Sequence, residues 1–281
     1  MAPRTHEQWV ADQTRLMPAV VTADLSGKTL VLIGANVRLG FEAAKHFARM
    51  NPARLVLTAR DEAKGRQALA SDTGYSKAEL WIIDLANFSS VMEFADRAEH
   101  ELDRLDVLVE SAGMITWKYE QVEGWEKIIH TNNLGPGLLA IRMIPKMLET
   151  AHKHSVTPQL VVVASDMHYW TKIEKDIIAS PSILAKLSDK EYCTKEYTPE
   201  YAFTTEEGSR QLVYGAVGSL EDEEKLRGKY ICMSEVMEES DFVISRDGKI
   251  IQDKVWEEML EIFRRIDPKV SEVVKTYLMK A

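Results

Sequence analysis

The sequence contains little cysteine, glycine and proline, and it lacks a long apolar run. Two cysteines, Cys193 and Cys232, are too few for a disulfide scaffold or a zinc cluster. Fourteen glycines and nine prolines in 281 residues exclude a collagenous or low-complexity chain. The longest stretch without a charged residue, 128–141, has 14 residues, whereas a membrane-spanning helix needs roughly 18 or more. Residues 1–10 contain Glu7 and no apolar signal-peptide core, so the sequence predicts a cytoplasmic protein without a membrane span.

Positive charge is also in short supply. The chain has 35 lysines and arginines against 44 acidic residues, and its formal net charge is −9. This balance argues against binding to a phosphate backbone, so no nucleic-acid partner is expected. His152 and His154 have no acidic or thiol ligand at a useful spacing, and no metal site is predicted. What remains is an enzyme-sized globular chain, in which hydrophobic residues make up 45% and charged residues 28%.

Five short aliphatic runs recur along the first 165 residues. They are continuous rather than alternating, as in strands that are covered on both faces. Stretches of helical period lie between them, and a long helix is predicted over 125–148. Strands and helices in alternation predict βαβ units, and hence an α/β fold with a parallel, doubly wound sheet over residues 27–165. The runs are 29–33, 54–58, 79–83, 106–109 and 160–164.

The alternation of predicted strands and helices ends after residue 165. A helix is predicted over 206–220, with Thr204 or Thr205 as its N-cap. The apolar pairs 243–244 and 250–251 flank an Arg-Asp-Gly sequence and predict a small hairpin-like turn. An amphipathic helix is predicted over 255–266. Because no repeat and no Gly-, Ser- or Pro-rich linker is visible, the sequence predicts a single domain over 1–281.

A glycine-bearing turn directly follows the first aliphatic run. It contains Gly34 and Gly40 and precedes a helical stretch. Such a turn presents backbone N–H groups and the positive end of a helix to a pyrophosphate. A tight turn that needs a positive φ and holds no ligand is the alternative.

The run 33–40 resembles the cofactor turn of the short-chain dehydrogenases/reductases, written TGxxxGxG. The later segments agree with this family in order and spacing: Arg60 at the ribose position, Asp84-Leu85 at the adenine position, and 110–113 at the NNAG element. The resemblance implies a Rossmann-like sheet, a nicotinamide cofactor and hydride transfer. It implies a cofactor-binding core at 27–165 and a substrate region, altered here, at 166–281. The positions that it assigns to the cofactor are Gly34, Asn36, Arg38, Leu39, Gly40, Arg60, Asp84, Leu85, Ser111, Ala112 and Gly113.

The resemblance also implies catalytic residues and a branch of the family. Asn132 and Ser165 match the family's catalytic asparagine and serine, and Tyr197 falls near its tyrosine. Details such as 165–171 look like the retinol-dehydrogenase-like branch that is common in fungal secondary metabolism. Ser165 follows a central strand, where ligands bind such sheets; a capping serine is the alternative.

The charge of Arg60 bears on the choice of cofactor. An NAD enzyme would carry an acidic residue here for the ribose 2′-hydroxyl, whereas a basic residue suits a 2′-phosphate. The residue therefore predicts NADP, with a solvated arginine at a helix start as the alternative. Asp84 lies in the adenine segment and could also cap the following helix.

The sequence departs from the family where the proton chemistry is expected. The family pairs its tyrosine with a lysine four residues later, and none of the nine tyrosines here is followed by lysine at that spacing. The only Pro-Gly, 136–137, precedes Ser165, whereas the family's closes over the nicotinamide. A helix and the following strand are predicted to be missing. Ile33 replaces the family's threonine, and Arg38 replaces its middle glycine, where a guanidinium would crowd the pyrophosphate or grip it.

Two functions remain open at this point. The first is an NADP-dependent oxidoreductase that acts on a small carbonyl or alcohol in secondary metabolism, with Ser165 orienting the carbonyl, Asn132 holding the active-site helix and Tyr197 as the acid. The second is a catalytically impaired or inactive short-chain dehydrogenase-like scaffold, or the product of an altered gene model. A non-redox isomerase or cyclase has no supporting residue. The sequence identifies neither the substrate nor the direction of the reaction, and it leaves a homo-oligomer open.

Overall fold

The computed structural model describes residues 5–70, 78–116, 118–170, 173–192, 204–220, 222 and 224–279. Five of its strands form one parallel sheet in the order β3-β2-β1-β4-β7, and two antiparallel pairs, β5-β6 and β8-β9, are hairpins. The sheet confirms the predicted α/β, doubly wound architecture. The strands are β1 (Thr29–Ile33), β2 (Arg54–Ala59), β3 (Ala78–Ile82), β4 (Val107–Glu110), β5 (Gln121–Val122), β6 (Trp125–Glu126), β7 (Gln159–Val162), β8 (Tyr230–Cys232) and β9 (Glu235–Met237).

Helices connect and cover these strands. Two π-helical stretches, His130–Leu134 and Val274–Leu278, continue α-helices, and a 3₁₀ turn, Asp166–Tyr169, follows β7. The helices are α1 (His6–Gln13), α2 (Arg38–Arg49), α3 (Glu62–Ala70), α4 (Phe88–Glu101), α5 (Lys127–Ile129), α6 (Gly135–His154), α7 (Lys175–Ile178), α8 (Ile183–Leu187), α9 (Thr205–Val217), α10 (Asp241–Ile244), α11 (Arg246–Ile266) and α12 (Pro268–Val273).

Each face of the sheet packs on its own apolar core. Helices α4 and α6 cover one face, where Leu108 and Phe263 of α11 belong to the same buried cluster. Helices α2 and α9 pack together on the other face, with Phe47 and Val213 in a second cluster. Strands β1 and β4 are buried along their whole length, because helices cover them on both sides. These two strands behave as their continuous aliphatic sequences predict.

Two predicted elements differ from the structure. The long helix predicted from residue 125 begins only at 127, because Trp125–Glu126 pairs with Gln121–Val122 in a hairpin. The hairpin-like turn predicted at 243–251 is wrong. The pairs 243–244 and 250–251 lie in α10 and α11, and the Ser245 side chain between them caps α11 by accepting a hydrogen bond from Gly248 N at 3.0 Å. The helix predicted over 206–220 is confirmed as α9, with Thr204 as its N-cap.

Among the described residues, strand β7 forms one edge of the sheet rather than the central strand expected before Ser165, and one of its faces is exposed. Leu108 and Glu110 of β4 are 0% and 4% exposed, whereas their register partners Leu160 and Val162 are 42% and 54% exposed. On the opposite face α9 closes over Val161, since a Cβ added at Gly215 would lie 3.1 Å from the Val161 side chain. A right-handed crossover that left β7 to extend the sheet would place its helix on the face of α4 and α6. That is the face on which Leu160 and Val162 are exposed.

This open edge predicts self-association. Leu160 and Val162 alternate with the residues that bond to β4, so their amides point away from the sheet. Covering each aliphatic side chain is worth about 1.5–3 kcal/mol. We therefore expect the chain to form dimers or larger species and to bind an apolar dye. The measurements are sedimentation velocity and dye fluorescence on the unmodified chain and on Val162→Lys.

The control is Val236→Lys, because Val236 lies in a two-stranded hairpin and is exposed to a similar extent, 45%. The Val162→Lys variant should be the more monomeric of the two and bind less dye, since an edge lysine blocks strand pairing. A monodisperse unmodified monomer that binds no dye would contradict the prediction.

Candidate active site

The residues assigned to the site follow strands that end at one edge of the sheet. Because the strands are parallel, Gly34 after β1, Arg60 after β2, Ser111 after β4 and Ser165 after β7 all lie beyond carboxyl ends. This is the edge at which ligands bind to open α/β sheets.

The turn after β1 requires both of its glycines. Gly34 has φ +84°, and a Cβ there would lie 2.8 Å from the Cα of Ala112. A Cβ at Gly40 would lie 2.2 Å from the carbonyl oxygen of Gly34. Close approach of backbone to backbone therefore excludes any larger residue at either position. The turn leads directly into α2, so the N-terminal N–H groups of that helix face the same edge.

Thr58 of β2 holds this turn and was missed by the sequence analysis. Its Oγ1 accepts a hydrogen bond from Gly34 N at 2.9 Å, and its carbonyl oxygen accepts one from Ala35 N at 3.0 Å. The side chain is buried, with 1% exposed. A hydroxyl within the aliphatic run Leu-Val-Leu-Thr-Ala was the available indication, because a buried hydroxyl needs a partner.

Arg38, in the position of the family's middle glycine, has the backbone conformation of a glycine. Its φ is +54°, and it is an exposed residue at the start of α2. A left-handed conformation costs a residue with a Cβ roughly 1–2 kcal/mol relative to glycine. The predicted crowding at the pyrophosphate is therefore accompanied by backbone strain.

Replacing Arg38 by glycine is expected to stabilise the chain by about 1 kcal/mol, because it relieves this strain. Nucleotide binding should also become tighter, since no side chain would then crowd the turn. Urea unfolding and calorimetric titration with NADPH measure the two effects. The control, Arg49→Gly in the last turn of α2, should destabilise the chain by about 1 kcal/mol. Weaker binding by the Arg38 variant would mean that the guanidinium grips phosphate.

The cleft and loop at the end of β2 and β3 contain the positions assigned to the ribose and the adenine. Arg60 is exposed just beyond β2, and Asn36 lines a small cleft between the glycine turn and α3, together with Thr58, Ala68 and Leu80. Asp84 accepts a hydrogen bond from Ala86 N at 3.0 Å.

Asp84 does not cap α4, so the capping alternative for it is wrong. The N-cap is Asn87, whose side chain accepts from Ser90 N at 2.9 Å. Asp84 instead shapes the turn that leads from β3 to this helix.

The loop after β4 connects the glycine turn to Asn132. Ser111 N donates to Ile33 O at 3.0 Å, Ala112 lies against Gly34, and a Cβ at Gly113 would be 3.5 Å from Asn132 Oδ1. Asn132 accepts from Met114 N and donates to Met114 O, both at 2.8 Å. Its side chain therefore holds this loop against the π-helical stretch that connects α5 to α6.

A buried histidine supports the same helix and was also missed. His130 is 0% exposed; its Nδ1 lies 2.9 Å from Leu85 O and its Nε2 2.8 Å from the Glu123 carboxylate. Glu123 also accepts from Phe88 N at 2.9 Å. A Cβ at Gly135 would lie 2.3 Å from Leu85 O, so the helix approaches the adenine segment closely. No local pattern in the sequence indicated these contacts, because the partners lie 45 and 7 residues away along the chain.

The catalytic positions are only partly described by the structure. Ser165 is exposed, and its Oγ accepts from Met167 N at 3.2 Å, so it caps the 3₁₀ turn, which is the alternative given for this serine. The capping contact leaves the hydroxyl proton of Ser165 available to donate. Tyr197 lies outside the described residues. The structure thus packs Ala112 of the loop after β4 against the turn that contains Gly34 and Gly40, and it brings Gly113 close to Asn132.

Glu110, the first residue of the segment assigned to the NNAG element, ends β4 and was given no role of its own. It is 4% exposed, and its Oε1 has no hydrogen-bond partner among the described residues. Burial raises the pKa of the Glu110 carboxyl to about 8. This carboxyl is therefore neutral at physiological pH.

The fold and the turn define a class: a doubly wound α/β protein whose glycine turn faces the ligand edge of its sheet. Residues 28–167 match the family model described as short chain dehydrogenase. The chain belongs to the short-chain dehydrogenase/reductase family, whose members are oxidoreductases that use nicotinamide cofactors.

Relatives of similar sequence come from fungi. Short chain dehydrogenase/reductase dmxR8 of Cryptosporiopsis sp. is 29% identical over 311 residues, which cover 89% of this chain and 94% of the relative. Short chain dehydrogenase sol3 of Alternaria solani is 34% identical over 171 residues, 59% of each chain. The match thus spans about three fifths of the second relative's length.

The first alignment runs over more positions than the 281 residues present here, so dmxR8 contains residues without a counterpart in this chain. Among solved structures, a metagenomic short-chain oxidoreductase in complex with NADP is 26% identical, with 51% of this chain and 64% of that chain covered and a TM-score of 0.40. Among the described residues, none of the helices has both the length and the apolar content needed to cross a bilayer.

Proposed function

We propose that this chain is an NADP-dependent short-chain oxidoreductase acting on a small carbonyl or alcohol, in the secondary metabolism of a fungus. The observation that carries the proposal is the turn at Gly34 and Gly40, where backbone approaches backbone so closely that only glycine fits. The turn opens α2 at the ligand edge of the sheet. The fungal relatives support the pathway class.

The residues of the adenosine half fit a dinucleotide. Gly34 and Gly40 permit the tight turn that would face a pyrophosphate, and the N-terminal N–H groups of α2 would bind it. Asn36 and Arg60 would hold the ribose and its 2′-phosphate, and Leu85 would lie against the adenine. Leu39, Asp84, Ser111, Ala112 and Gly113 complete the set. When bound, a nicotinamide cofactor supplies or accepts the hydride.

On the catalytic side, the residues of this chain would orient the substrate and deliver a proton. The Ser165 hydroxyl would donate to the substrate oxygen, since its Oγ already accepts from Met167 N. Asn132 would keep the loop after β4 in place through its two bonds to Met114. Tyr197 would be the acid, and no lysine stands four residues after it. The phenolate would therefore lack the charge that stabilises it in the family.

Arg60 should decide the choice of cofactor. We expect NADPH to bind more tightly than NADH, and Arg60→Ala to narrow the difference by about tenfold or more, because a charge-assisted contact to phosphate is lost. Calorimetric titration with both nucleotides measures this. Arg66→Ala is the control, since Arg66 is an exposed arginine of α3 that pairs with Glu62. Equal dissociation constants for the two nucleotides in the unmodified chain would refute the assignment.

A second candidate is a catalytically impaired protein that keeps the fold and the cofactor turn. The open face of β7, with Val162 54% exposed, favours this candidate, because it is the face that a further crossover helix would cover. Sequencing the transcript is the direct test. If the transcript encodes Tyr-x-x-x-Lys and a second Pro-Gly between residues 192 and 204, the present sequence results from an altered gene model.

A further inference from the structure

The 3₁₀ turn Asp166–Tyr169 carries Ser165 at its N-cap and has little internal support. The backbone bond from Trp170 N to Met167 O, 3.0 Å, and the bond from Met167 N to Ser165 Oγ, 3.2 Å, close it. A single 3₁₀ turn has poor hydrogen-bond geometry and gains little stability of its own. Its conformation, and hence the position of Ser165, depends on what packs against it.

On one side the turn rests on the β8-β9 hairpin and the chain that follows it. Tyr169 donates its hydroxyl proton to Glu238 O at 2.5 Å, and the ring of His168 meets that of Tyr230 at 4.9 Å. These contacts hold the middle of the turn. They leave its two ends, Asp166 and Trp170, to be held from elsewhere.

Helix α1 holds both of those ends through one side chain. Trp9 Nε1 donates a hydrogen bond to Asp166 Oδ2, the residue directly after Ser165. The Trp9 ring also packs edge to face on Trp170, with centroids 5.5 Å apart and planes at 83°. Trp9 is 7% exposed, although it lies in a helix of eight residues near the start of the chain.

The segment that follows α1 is anchored independently. Met17 is 2% exposed and packs with Cys232 and Met233 near the hairpin. Arg210 of α9 donates from Nη1 to Met17 O at 3.3 Å and to Pro18 O at 3.0 Å, while Glu206 holds its guanidinium. Helix α1 is thus tied to the body of the protein at a second point.

We propose that α1 positions the turn that carries Ser165, with Trp9 as the positioning residue. Its effect on turnover rests on the oxidoreductase function proposed above; its effect on the turn does not. Trp9 fixes both ends of the turn, so losing it frees the backbone of 166–170. The serine hydroxyl is then spread over several orientations, and fewer of them meet a substrate oxygen.

Amide hydrogen exchange followed by mass spectrometry tests the effect on the turn directly. In Trp9→Ala, peptides covering 166–170 should exchange about tenfold or more faster, because one partly buried hydrogen bond and one ring contact are lost. Peptides covering β1 should be unchanged. Trp9→Phe keeps a ring and loses the donor, so its exchange rate at 166–170 should lie between those of the unmodified chain and Trp9→Ala. It also serves as the test variant if Trp9→Ala fails to fold. Trp256→Ala, on α11 and 40% exposed, is the matched control.

Kinetics and binding supply the second readout. Trp9→Ala should lower kcat with NADPH while leaving the dissociation constant of NADPH unchanged, and Trp9→Phe should restore part of the loss. If the unmodified chain has no turnover, the proposed function fails, and the exchange result alone decides on α1. The inference would be overturned if Trp9→Ala left the exchange rate at 166–170 unchanged or raised the exchange rate of β1 equally. It would also be overturned if Trp256→Ala had the same effect on 166–170, or if Trp9→Ala kept full kcat although exchange at 166–170 was faster.

Discussion

Restoring the segment that carries Tyr-x-x-x-Lys is expected to speed NADPH turnover by about 10²–10⁴-fold, the usual contribution of positioned acid–base catalysis. No lysine stands four residues after Tyr197, so the charge that stabilises the phenolate in the family is missing. An added ammonium would stabilise that anion.

The experiment compares the unmodified chain with a graft. The graft inserts a segment that contains Tyr-x-x-x-Lys and Pro-Gly between Tyr192 and Thr204, and NADPH consumption is followed with ketones, aldehydes and quinones. A second graft, with its lysine changed to methionine, isolates the charge from the packing. Ser165→Ala should abolish turnover in every version. Equal rates with and without the graft would show that another residue supplies the proton.

Replacing Glu110 by glutamine is expected to make stability less dependent on pH. Burial raises the pKa of this carboxyl from 4.5 to about 8, so the folded protein binds a proton that the unfolded chain has released. The unfolded state therefore becomes more favourable relative to the folded state as pH rises from about 4.5 to 8, and the unmodified protein loses on the order of 3–5 kcal/mol of stability over that range. Glutamine does not titrate, so this loss should disappear.

Urea unfolding at pH 5 and pH 8 measures the effect. The unmodified chain should unfold at a lower urea concentration at pH 8, and the Glu110→Gln variant should show a much smaller difference. Glu93→Gln, an exposed position on α4, controls for the change in net charge. If Glu110→Gln changed the urea midpoint by the same amount at pH 5 and at pH 8, relative to the unmodified chain, the Glu110 carboxyl would not be neutral in the folded state.

The core of the sheet could be predicted because continuous aliphatic runs indicate strands that are buried on both faces. β1 and β4 are continuous aliphatic runs, and both are buried along their length. The run at 160–164 is also continuously aliphatic, yet Leu160 and Val162 are exposed. A run of this kind shows that a strand suits burial on both faces. It does not show that a covering element exists, because that element would come from another part of the chain.

The site was predictable where steric need fixes a residue type and unpredictable where side chains pair over distance. Gly34 and Gly40 were identified because only glycine permits their backbone contacts. Thr58 and His130 act through partners 24 and 45 residues away, and no local sequence pattern identifies those partners. The helices at 243–251 were missed because Arg-Asp-Gly favours a turn locally, while the Ser245 cap and packing on α8 favour a helix.

The Trp9–Trp170 pair also gives the protein a built-in optical reporter. Two indole rings 5.5 Å apart and inclined at 83° lie close enough for their electronic transitions to couple. Coupled transitions of this kind produce a pair of circular dichroism bands of opposite sign, which vanish when either ring moves away. The chain has six tryptophans, and a difference spectrum against Trp9→Phe isolates this pair. The docking of α1 can then be followed during refolding or nucleotide titration in protein that carries no label.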